Sequence, residues 1–390
     1  SYGSLGNQVM DDLGNFPYLA TYGTNSSYNY LINGSKPVIV KAPGLVAPDF
    51  TWETVTQMDF GFDASFLNNR LTGTFDWYRR NTKDMLVAGA TLPATLGASV
   101  PKSNSADMKT IGWELSLGWN DRLENGFSYW VKGVLSDYQA TITKYAGNDA
   151  GFYSQSDGDG KYYVGQKIGE IWGYHSNGLF QSDDEAATID QSELYAGKWG
   201  AGDVKYEDLD NDGKITKGEE TIYNPGDKSI IGNKTPRYQF GITVGFDYKN
   251  FDFEMFWQGT GKRDYMLSGA QFWGFTSQWD VPYTPALDYW TETNTDAYFP
   301  RPGWQNGGNR VTSDRYLQSA AYGRLKNLTV GYTIPKNLTT KWGISRLRLY
   351  VTGENLLTIT PLNDAFDPET LGGMTYPINR KVAIGLNLTL

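Results

Sequence analysis

Cysteine is absent from this chain of 390 residues, and histidine occurs only once, as His175. Without thiols the chain has neither a disulfide framework nor a thiolate metal site. A single imidazole excludes most catalytic triads, histidine-ligated zinc sites and histidine acid–base pairs. We interpret His175, which stands beside aromatic residues, as a residue that packs within a loop. Since no nucleophile, general base or phosphate-binding glycine loop stands out either, we predict that the protein is not an enzyme.

Long apolar runs and basic stripes are also lacking. No run of about 18 apolar residues is present, which excludes a helical membrane protein. The formal net charge is −9, and without a basic stripe to neutralise phosphates we predict no binding to nucleic acid. Aromatic residues, in contrast, make up 15% of the chain, and glycine occurs 45 times. Aromatic girdles and frequent turns are typical of a membrane β-barrel, in which lipid-facing residues alternate with lumen-facing ones, so that long apolar runs are not needed.

The strongest pattern is strict alternation of apolar and polar residues. In residues 237–248, six large apolar or aromatic side chains alternate with Gln239, Gly241, Thr243, Gly245 and Asp247. Successive side chains of a strand point to opposite faces, so one face of this strand is apolar and the other polar or small. The same alternation is clear in residues 57–66, 111–119 and 382–390, and weaker in 71–78, 127–136, 251–258, 328–334 and 346–354. With residues 1–8, about ten strands are predicted.

The connections between these strands alternate in length. Short ones lie at residues 67–70, 120–126, 249–250 and 335–345, and long ones at 11–51, 86–108, 146–236, 268–319 and 360–376. Bacterial barrels have short periplasmic turns and longer external loops. We therefore predict an all-β fold, a transmembrane antiparallel β-barrel with long extracellular loops, and a periplasmic C-terminus at Leu390. A soluble sandwich or propeller also has alternating strands, but it does not readily explain this succession of loop lengths.

Residues 146–236 form the largest insertion, and we expect a folded external loop there. Within it, residues 208–219 match the twelve-residue calcium loop of the EF-hand, with Gly213 sixth and Glu219 last. Predicted Ca²⁺ ligands are the carboxylates of Asp208, Asp210, Asp212 and Glu219 and the backbone carbonyl of Lys214. The flanks do not resemble paired helices, and a solvated acidic turn is the alternative. A bound Ca²⁺ would have a structural role.

Two further groups of side chains are candidates for binding. Aromatic faces in the long loops stack on sugar rings, anchor protein interfaces or form the core of the loops themselves. The aromatic candidates are Trp172, Tyr174, Phe180, Trp199, Trp273, Trp279 and Trp290. Polar positions of the alternating strands are predicted to face the lumen, where they pair with one another, line a substrate path or meet water. These are Asp59, Asp63, Glu114, Asp247, Glu254, Arg346, Arg348 and Glu354.

Four stretches together resemble the SusC-like (SusC/RagA) family of TonB-dependent outer-membrane transporters of Bacteroidetes. The stretches are residues 1–8 with 52–57, residues 66–78, residues 165–181 running on to 202–206, and Gly353-Glu354-Asn355-Leu356-Leu357 with the closing strand 380–390. Their order and spacing cover essentially the whole chain. One departure is Leu390, since many outer-membrane barrels end in an aromatic residue.

The resemblance implies properties that the residues alone do not give. The family's barrel has 22 strands around an N-terminal plug domain, so residues 1–390 supply about the last ten strands, and the plug and first strands are absent. No signal peptide is visible, and we expect the chain to be part of a longer exported protein. Implied partners are a SusD-like surface lipoprotein, TonB–ExbB–ExbD through the plug, and outer-membrane lipid, in a dimer of transporter–lipoprotein pairs. Among functional roles of the loop aromatics, this resemblance favours contact with the lipoprotein.

The expected function is active import of glycans or peptides across the bacterial outer membrane, energised by TonB. A passive porin, a siderophore-type receptor barrel and a soluble carbohydrate-binding β-protein are the alternatives. Structural Ca²⁺ in the external loop is the one cofactor predicted.

Overall fold

The computed structural model describes most of the chain. The described residues are 1–7, 18–25, 31–48, 50–88, 93, 95, 97–146, 148, 151–152, 162–303, 306–371, 376 and 378–390. The ten predicted strands lie within these ranges, except that Gln8 at the end of the first one is outside the described residues. Parts of the five predicted long loops, at residues 11–51, 86–108, 146–236, 268–319 and 360–376, lie outside the described residues.

Ten strands form one sheet in which each strand neighbours the next along the chain. They are β1 (Tyr2–Asn7), β2 (Glu53–Phe66), β3 (Leu71–Ala88), β4 (Lys102–Arg122), β5 (Ser128–Tyr145), β6 (Arg237–Tyr248), β7 (Phe251–Lys262), β8 (Tyr322–Thr333), β9 (Arg346–Ile359) and β10 (Lys381–Thr389). Every strand predicted from alternation is confirmed. Several are longer than predicted at the end that leads into a long loop, because strand pairing continues there without strict alternation.

Cross-strand register separates the two faces of the sheet. Phe246, Phe253, Val330, Val351 and Ile384 stand opposite one another in a row across β6 to β10. Ile384 is 83% exposed, and Val330 and Val351 are nearly half exposed. A continuous exposed apolar face of this extent marks a surface that meets lipid or another apolar partner.

The adjacent row lies on the opposite face and is polar or small. It consists of Asp247, Asp252, Gly331, Tyr350 and Gly385. Because side chains of a strand alternate, an apolar row on one face requires this second row on the other. The two faces therefore have the opposite chemistry that a wall between lipid and an aqueous lumen needs.

The chain divides into two compact units. The first consists of residues 1–60, 78–111 and 139–167. In it, β1 pairs with the start of β2, and a separate hairpin joins Gly23–Asn25 to Ile39–Lys41. Buried Asn104 donates its amide N–H groups to the carbonyls of Thr51 and Asp84, at 2.8 and 2.6 Å. One side chain thereby holds together three segments of this unit.

The second unit consists of residues 61–77, 112–138 and 168–390. Its loop segments form three two-stranded ribbons and several short helices. The ribbons pair Glu170–Tyr174 with Lys228–Asn233, Ser176–Leu179 with Val204–Tyr206, and Asp264–Met266 with Leu317–Ser319. The α-helices are Asp183–Ala186, Ala270–Trp273 and Lys336–Thr339, and the 3₁₀ helices are Thr284–Leu287, Gly307–Arg310 and Thr340–Trp342.

These loop segments share one buried core. It includes Tyr174, Tyr206, Phe272, Trp290 and Tyr316, and its buried residues come from the segments 174–215, 267–320 and 362–371. The sheet itself buries few side chains, whereas the loops contain most of the fully buried aromatic residues. Hydrophobic burial in this unit is therefore concentrated in the loops.

Within the described ranges, no helix is both long enough and apolar enough to span a bilayer.

Candidate functional site

The polar face of the second unit contains a cavity of about 590 Å³ beside the short turn that joins β6 to β7. Strands β6, β7 and β9 and the turn place six charged side chains around it, because alternation sends every second residue to this face. They are Asp247, Lys249, Asp252, Glu254, Arg346 and Arg348. The cavity thus has three cations and three anions in its lining.

Two of these six groups pair with each other. Arg348 binds Asp252 through two parallel hydrogen bonds, one of them from Nε to Oδ1 at 2.9 Å. Such bidentate geometry is the strongest arrangement of an arginine and a carboxylate. Among the residues that the structure describes, Asp247, Glu254 and Arg346 form no hydrogen bond or ion pair through their side chains.

Glycines leave room for large side chains to lie flat on this face. A Cβ atom at Gly331 would collide with the Asp252–Arg348 pair. A Cβ atom at Gly245 would collide with the indole of Trp130, which also lines the cavity. A larger residue at either position would force the neighbouring side chain to move. Few side chains therefore project from this part of the sheet, and the cavity lies above it.

The predicted lumen-facing residues occupy several environments. Register places Asp247, Glu254, Arg346, Arg348 and Glu354 on the same face, opposite the exposed apolar row. Asp63 accepts a hydrogen bond from Thr74 at 2.7 Å. Asp59 in the first unit accepts one from Gln57 at 2.8 Å, and Glu114 is exposed. That these residues face a lumen stays a prediction.

The acidic turn brings together a set of carboxylates that differs from the predicted set. Asp208 and Asp210 lie close to Asp227, with one oxygen of each within 4.8 Å of the others. Asp212 and Lys214 are exposed and outside this group, as is Glu219, whose N–H donates to the carbonyl of Asn224 at 3.0 Å. Only Asp208 and Asp210 of the predicted ligands therefore belong to the cluster that the structure forms.

Asp227 was missed because it lies eight residues beyond Glu219 in the sequence. Its carboxylate is buried and accepts N–H groups of Leu209 and Thr216, both at 2.7 Å. Burial, with the nearby carboxylates of Asp210 and Asp208, raises the pKa of Asp227 above its usual value. Three carboxylates, one of them buried, offer the hard oxygen donors that Ca²⁺ takes. Ca²⁺ binding itself stays a prediction.

Most of the predicted loop aromatics belong to the loop core. Tyr174, Phe180 and Trp290 are buried. Trp273 packs edge-on against Tyr316, with ring centroids 4.6 Å apart. Trp199 donates its indole N–H to the carbonyl of Ala186 at 2.8 Å, and Trp172 is partly buried.

Trp279 is the exception, with 83% of its surface exposed. It lies within a turn in which the carboxylate of Asp280 accepts the N–H groups of Thr276 and Ser277, at 2.7 and 2.6 Å. The hydroxyl of Thr276 and these N–H groups lower the pKa of Asp280. Val281 beside it is 76% exposed. Of the seven predicted aromatics, Trp279 is the one that is presented to solvent.

His175 bridges two other loop segments. Its Nδ1 lies 2.8 Å from the carboxylate of Asp314, and its Nε2 lies 2.6 Å from the hydroxyl of Ser229. The imidazole thereby joins two segments that lie 139 and 54 residues away along the chain. This agrees with the interpretation of His175 as a loop-packing residue.

A second feature that the sequence did not reveal is a buried ion-pair network on β8. Arg324 is almost fully buried and binds Asp367 and Glu369, at 2.6 and 3.1 Å. Lys326 binds the other oxygen of Glu369 at 2.7 Å. The pairing of β8 with β9 is irregular here, and Asn355 has a positive φ. The network fixes the segment after β9 to the wall.

Comparison with known proteins identifies one family. A family model described as "TonB dependent receptor-like, beta-barrel" matches residues 10–356. The chain is 29% identical to TonB-dependent receptor P3 of Formosa agariphila and 26% identical to TonB-dependent receptor SusC of Bacteroides thetaiotaomicron. These matches cover 100% and 99% of this chain, but 38% and 37% of the two relatives.

A solved structure of the RagAB peptide transporter has the same fold. It superimposes with a TM-score of 0.74 at 22% identity, over 99% of this chain and 40% of that chain. The chain thus spans about two-fifths of the length of the proteins it matches.

Proposed function

This chain belongs to the TonB-dependent receptor β-barrel family, and from that premise we propose that it is the C-terminal wall of an outer-membrane importer of the SusC/RagA type. The importer takes up oligosaccharides or peptides together with a surface lipoprotein, and TonB energises the uptake. No bond is made or broken in this function.

The observation that carries the proposal is the opposite chemistry of the two faces of the sheet. The apolar row from Phe246 to Ile384 suits lipid, and the polar face with its charged cavity suits an aqueous path. The similarity of the whole of this chain to part of two TonB-dependent receptors supports the same interpretation. Family membership sets aside the passive porin and the soluble carbohydrate-binding protein, and a siderophore-type receptor is the remaining rival.

The loops carry the proposed contact with the lipoprotein. Because the loop segments of the second unit have their own core, their surface is preformed, which limits the entropy that a partner must remove on binding. Trp279 and Val281 are strongly exposed apolar residues of these loop segments. Large aromatic side chains of this kind are typical anchors of protein interfaces.

We further propose that Asp208, Asp210 and Asp227 hold a structural Ca²⁺. The chemistry of the donor set fits, since three carboxylates converge and the ion would compensate the burial of Asp227. The ion would order residues 208–227 and would take no part in transport chemistry.

The test of the importer proposal is purification of the native full-length protein in mild detergent, followed by mass spectrometry of its companions. We expect a surface lipoprotein at equal stoichiometry and a plug-like N-terminal domain in the same polypeptide. Uptake of labelled nutrient should be lost in cells that lack TonB. Recovery of the protein without a lipoprotein, together with TonB-independent uptake, would contradict the importer proposal.

A further inference from the structure

Three cations of the first unit lie at the ends of β3 and β4 that lead into and out of a long loop. Arg79 and Lys83 on β3 are exposed, and Lys109 on β4 is partly exposed. Nε of Arg79 donates to the side-chain oxygen of Asn81 at 3.3 Å. Within the part of the chain that the structure describes, no carboxylate forms an ion pair with any of the three cations. We call Arg79, Lys83 and Lys109 the basic cluster.

Hydrogen bonding shows which face of the sheet Arg79 occupies. The next residue, Arg80, donates from Nε to the side-chain oxygen of Gln57 at 3.0 Å. Gln57 alternates along β2 with Met58 and Phe60, which are 45% and 66% exposed. Because successive side chains of a strand point to opposite faces, Arg79 lies on the exposed apolar face with Met58 and Phe60.

The two lysines lie on the same face of adjacent strands. Lys109 is two residues from Ile111, an exposed apolar residue of β4, and therefore shares its face. The N–H of Asp84 donates to the carboxylate of Asp107 at 2.9 Å, which joins β3 and β4 beside Lys83 and Lys109. Even with Asp107 counted, three cations accompany one anion, so a net positive charge remains on this edge of the apolar face.

The second unit has no such charge at the equivalent ends of its strands. There Gly259, Gly323 and Ile359 stand opposite one another on the apolar face of β7, β8 and β9. A general belt of cations that merely meets water would place charges at these positions too. The basic cluster is therefore a local feature of β3 and β4.

A ligand for this surface needs both an anionic and an apolar part. Phosphate oxygens are strong acceptors for arginine and lysine, and basic residues at a membrane surface attract anionic headgroups. Acyl chains would cover the exposed side chains of Met58 and Phe60. Arg79 and Lys83 are roughly 13 Å apart along β3, since a strand rises about 3.3 Å per residue. An extended headgroup can meet both cations, whereas free phosphate leaves the apolar surface uncovered.

We infer that the basic cluster binds the phosphate groups of a glycolipid of the outer leaflet, with its acyl chains against Met58 and Phe60. The inference rests on the proposed function, because location in an outer membrane brings such a lipid to this face. It adds a lipid partner of defined headgroup chemistry and the residues that bind it.

The experiment uses the full-length protein, purified in mild detergent with its lipoprotein. Native mass spectrometry measures the affinity for phosphorylated lipid A, for the same lipid without its phosphates, and for inorganic phosphate. We expect the phosphorylated lipid to bind at least about tenfold more tightly than the dephosphorylated one. Arg79→Gln, Lys83→Gln and Lys109→Gln should each weaken its binding about fivefold, and the triple variant about a hundredfold.

Lys132→Gln is the matched control. Lys132 is an exposed cation of β5 that stands opposite Thr243 on the polar face, so its replacement should leave lipid binding unchanged. Migration of each unheated variant as a compact barrel in a detergent gel confirms folding, and the single variants keep the test valid if the triple variant does not fold.

Three results would overturn the inference. They are equal affinity for the two lipids, unchanged lipid binding in the folded variants, and binding of inorganic phosphate as tight as that of the lipid. Any of them in a protein that retains its lipoprotein and TonB-dependent uptake would leave the importer proposal standing. Absence of the lipoprotein and of TonB-dependent uptake, with lipid binding intact, would instead overturn the importer proposal alone.

Discussion

The carboxylate of Asp203 accepts a hydrogen bond from the side-chain amide of Asn309 at 2.9 Å, across 106 residues of sequence. Asp203 is completely buried, and it also accepts the N–H of Gly200 at 2.9 Å and a guanidinium N–H of Arg301 at 3.1 Å. Asn309 in turn accepts the N–H of Val204 at 2.8 Å. This pair joins the insertion before β6 to the long loop after β7.

Asp203→Ala should therefore loosen both loops. The change leaves buried donors unsatisfied and costs about 3 kcal/mol. Hydrogen exchange of residues 195–206 and 301–310 should become faster, while exchange in the strands stays the same. Asp184→Ala, at an exposed position of a short helix, is the control and should have little effect. Equal protection in Asp203→Ala and the wild type would contradict the importance of this pair.

Calcium affinity should increase with pH. The raised pKa of Asp227, caused chiefly by its burial, means that the metal-free fold prefers the protonated acid. The protonated carboxyl of Asp227 therefore stabilises the metal-free folded state. This stabilisation is fully present below about pH 4 and is lost as the pH rises through the folded-state pKa. Ca²⁺ needs the ionised form, so calorimetric titration should give tighter binding at about pH 7.5 than at about pH 5.

Two variants test which carboxylates serve this calcium site. Asp227→Asn should weaken Ca²⁺ binding at least about tenfold. Glu219→Gln should have a much smaller effect, because Glu219 is outside the carboxylate cluster. The reverse order of effects would restore the twelve-residue loop of the EF-hand as the site, and absence of any calcium binding would identify a solvated acidic turn.

Arg324→Met should detach the segment at residues 360–371 from the wall. It leaves Asp367 without its ion-pair partner, whereas Glu369 keeps Lys326. Because both carboxylates are partly exposed, the cost should lie below the about 3–5 kcal/mol of breaking a fully buried ion pair. Faster proteolysis of this segment in detergent-purified protein is the expected result. Lys381→Met is the control, because its pair with Glu354 at 3.5 Å is exposed and such pairs are worth about 1 kcal/mol or less. Unchanged proteolysis in Arg324→Met would show that the loop core alone holds the segment.

Gly331→Ala should disturb the Arg348–Asp252 pair, since the added Cβ would overlap both side chains. Overpacking of this kind typically costs about 1–3 kcal/mol, and we expect a lower midpoint of thermal unfolding in detergent. Gly133→Ala on β5 is a matched strand variant with no atom within 4 Å of the added Cβ. Its midpoint should equal that of the wild type or exceed it. A Gly331→Ala midpoint as high as that of Gly133→Ala would show that the pair moves aside without cost.

Trp279→Ala should leave the fold intact and weaken the complex with the lipoprotein. The side chain is 83% exposed, so its removal changes no core contact, whereas loss of an interfacial tryptophan typically costs about 2 kcal/mol or more of binding. Dissociation constants of the detergent-purified complexes would measure this. Tyr223→Ala, equally exposed in another loop, serves as the control. Equal affinities for all three proteins would place the interface elsewhere.

The sequence alone was sufficient to predict the strands. Alternation in segments such as 57–66 and 237–248 reflects the orientation of successive side chains, a property of the local backbone. One face of each strand has to be apolar and the other polar, so apolar and polar residues alternate along the sequence of each strand. The same reasoning identified which of them share a face, including Asp247, Glu254 and Arg348, and the family resemblance gave the fold class that the comparisons confirm.

Only the tertiary structure decided which distant groups meet. Nothing local to Asp203 indicates Asn309, nothing in the acidic turn indicates Asp227, and nothing near His175 indicates Asp314. These contacts close long loops, where the path of the chain depends on a shared core rather than on a repeating pattern. Strands were predictable because their periodicity is local, and the sites were not because their geometry is set by packing between loops.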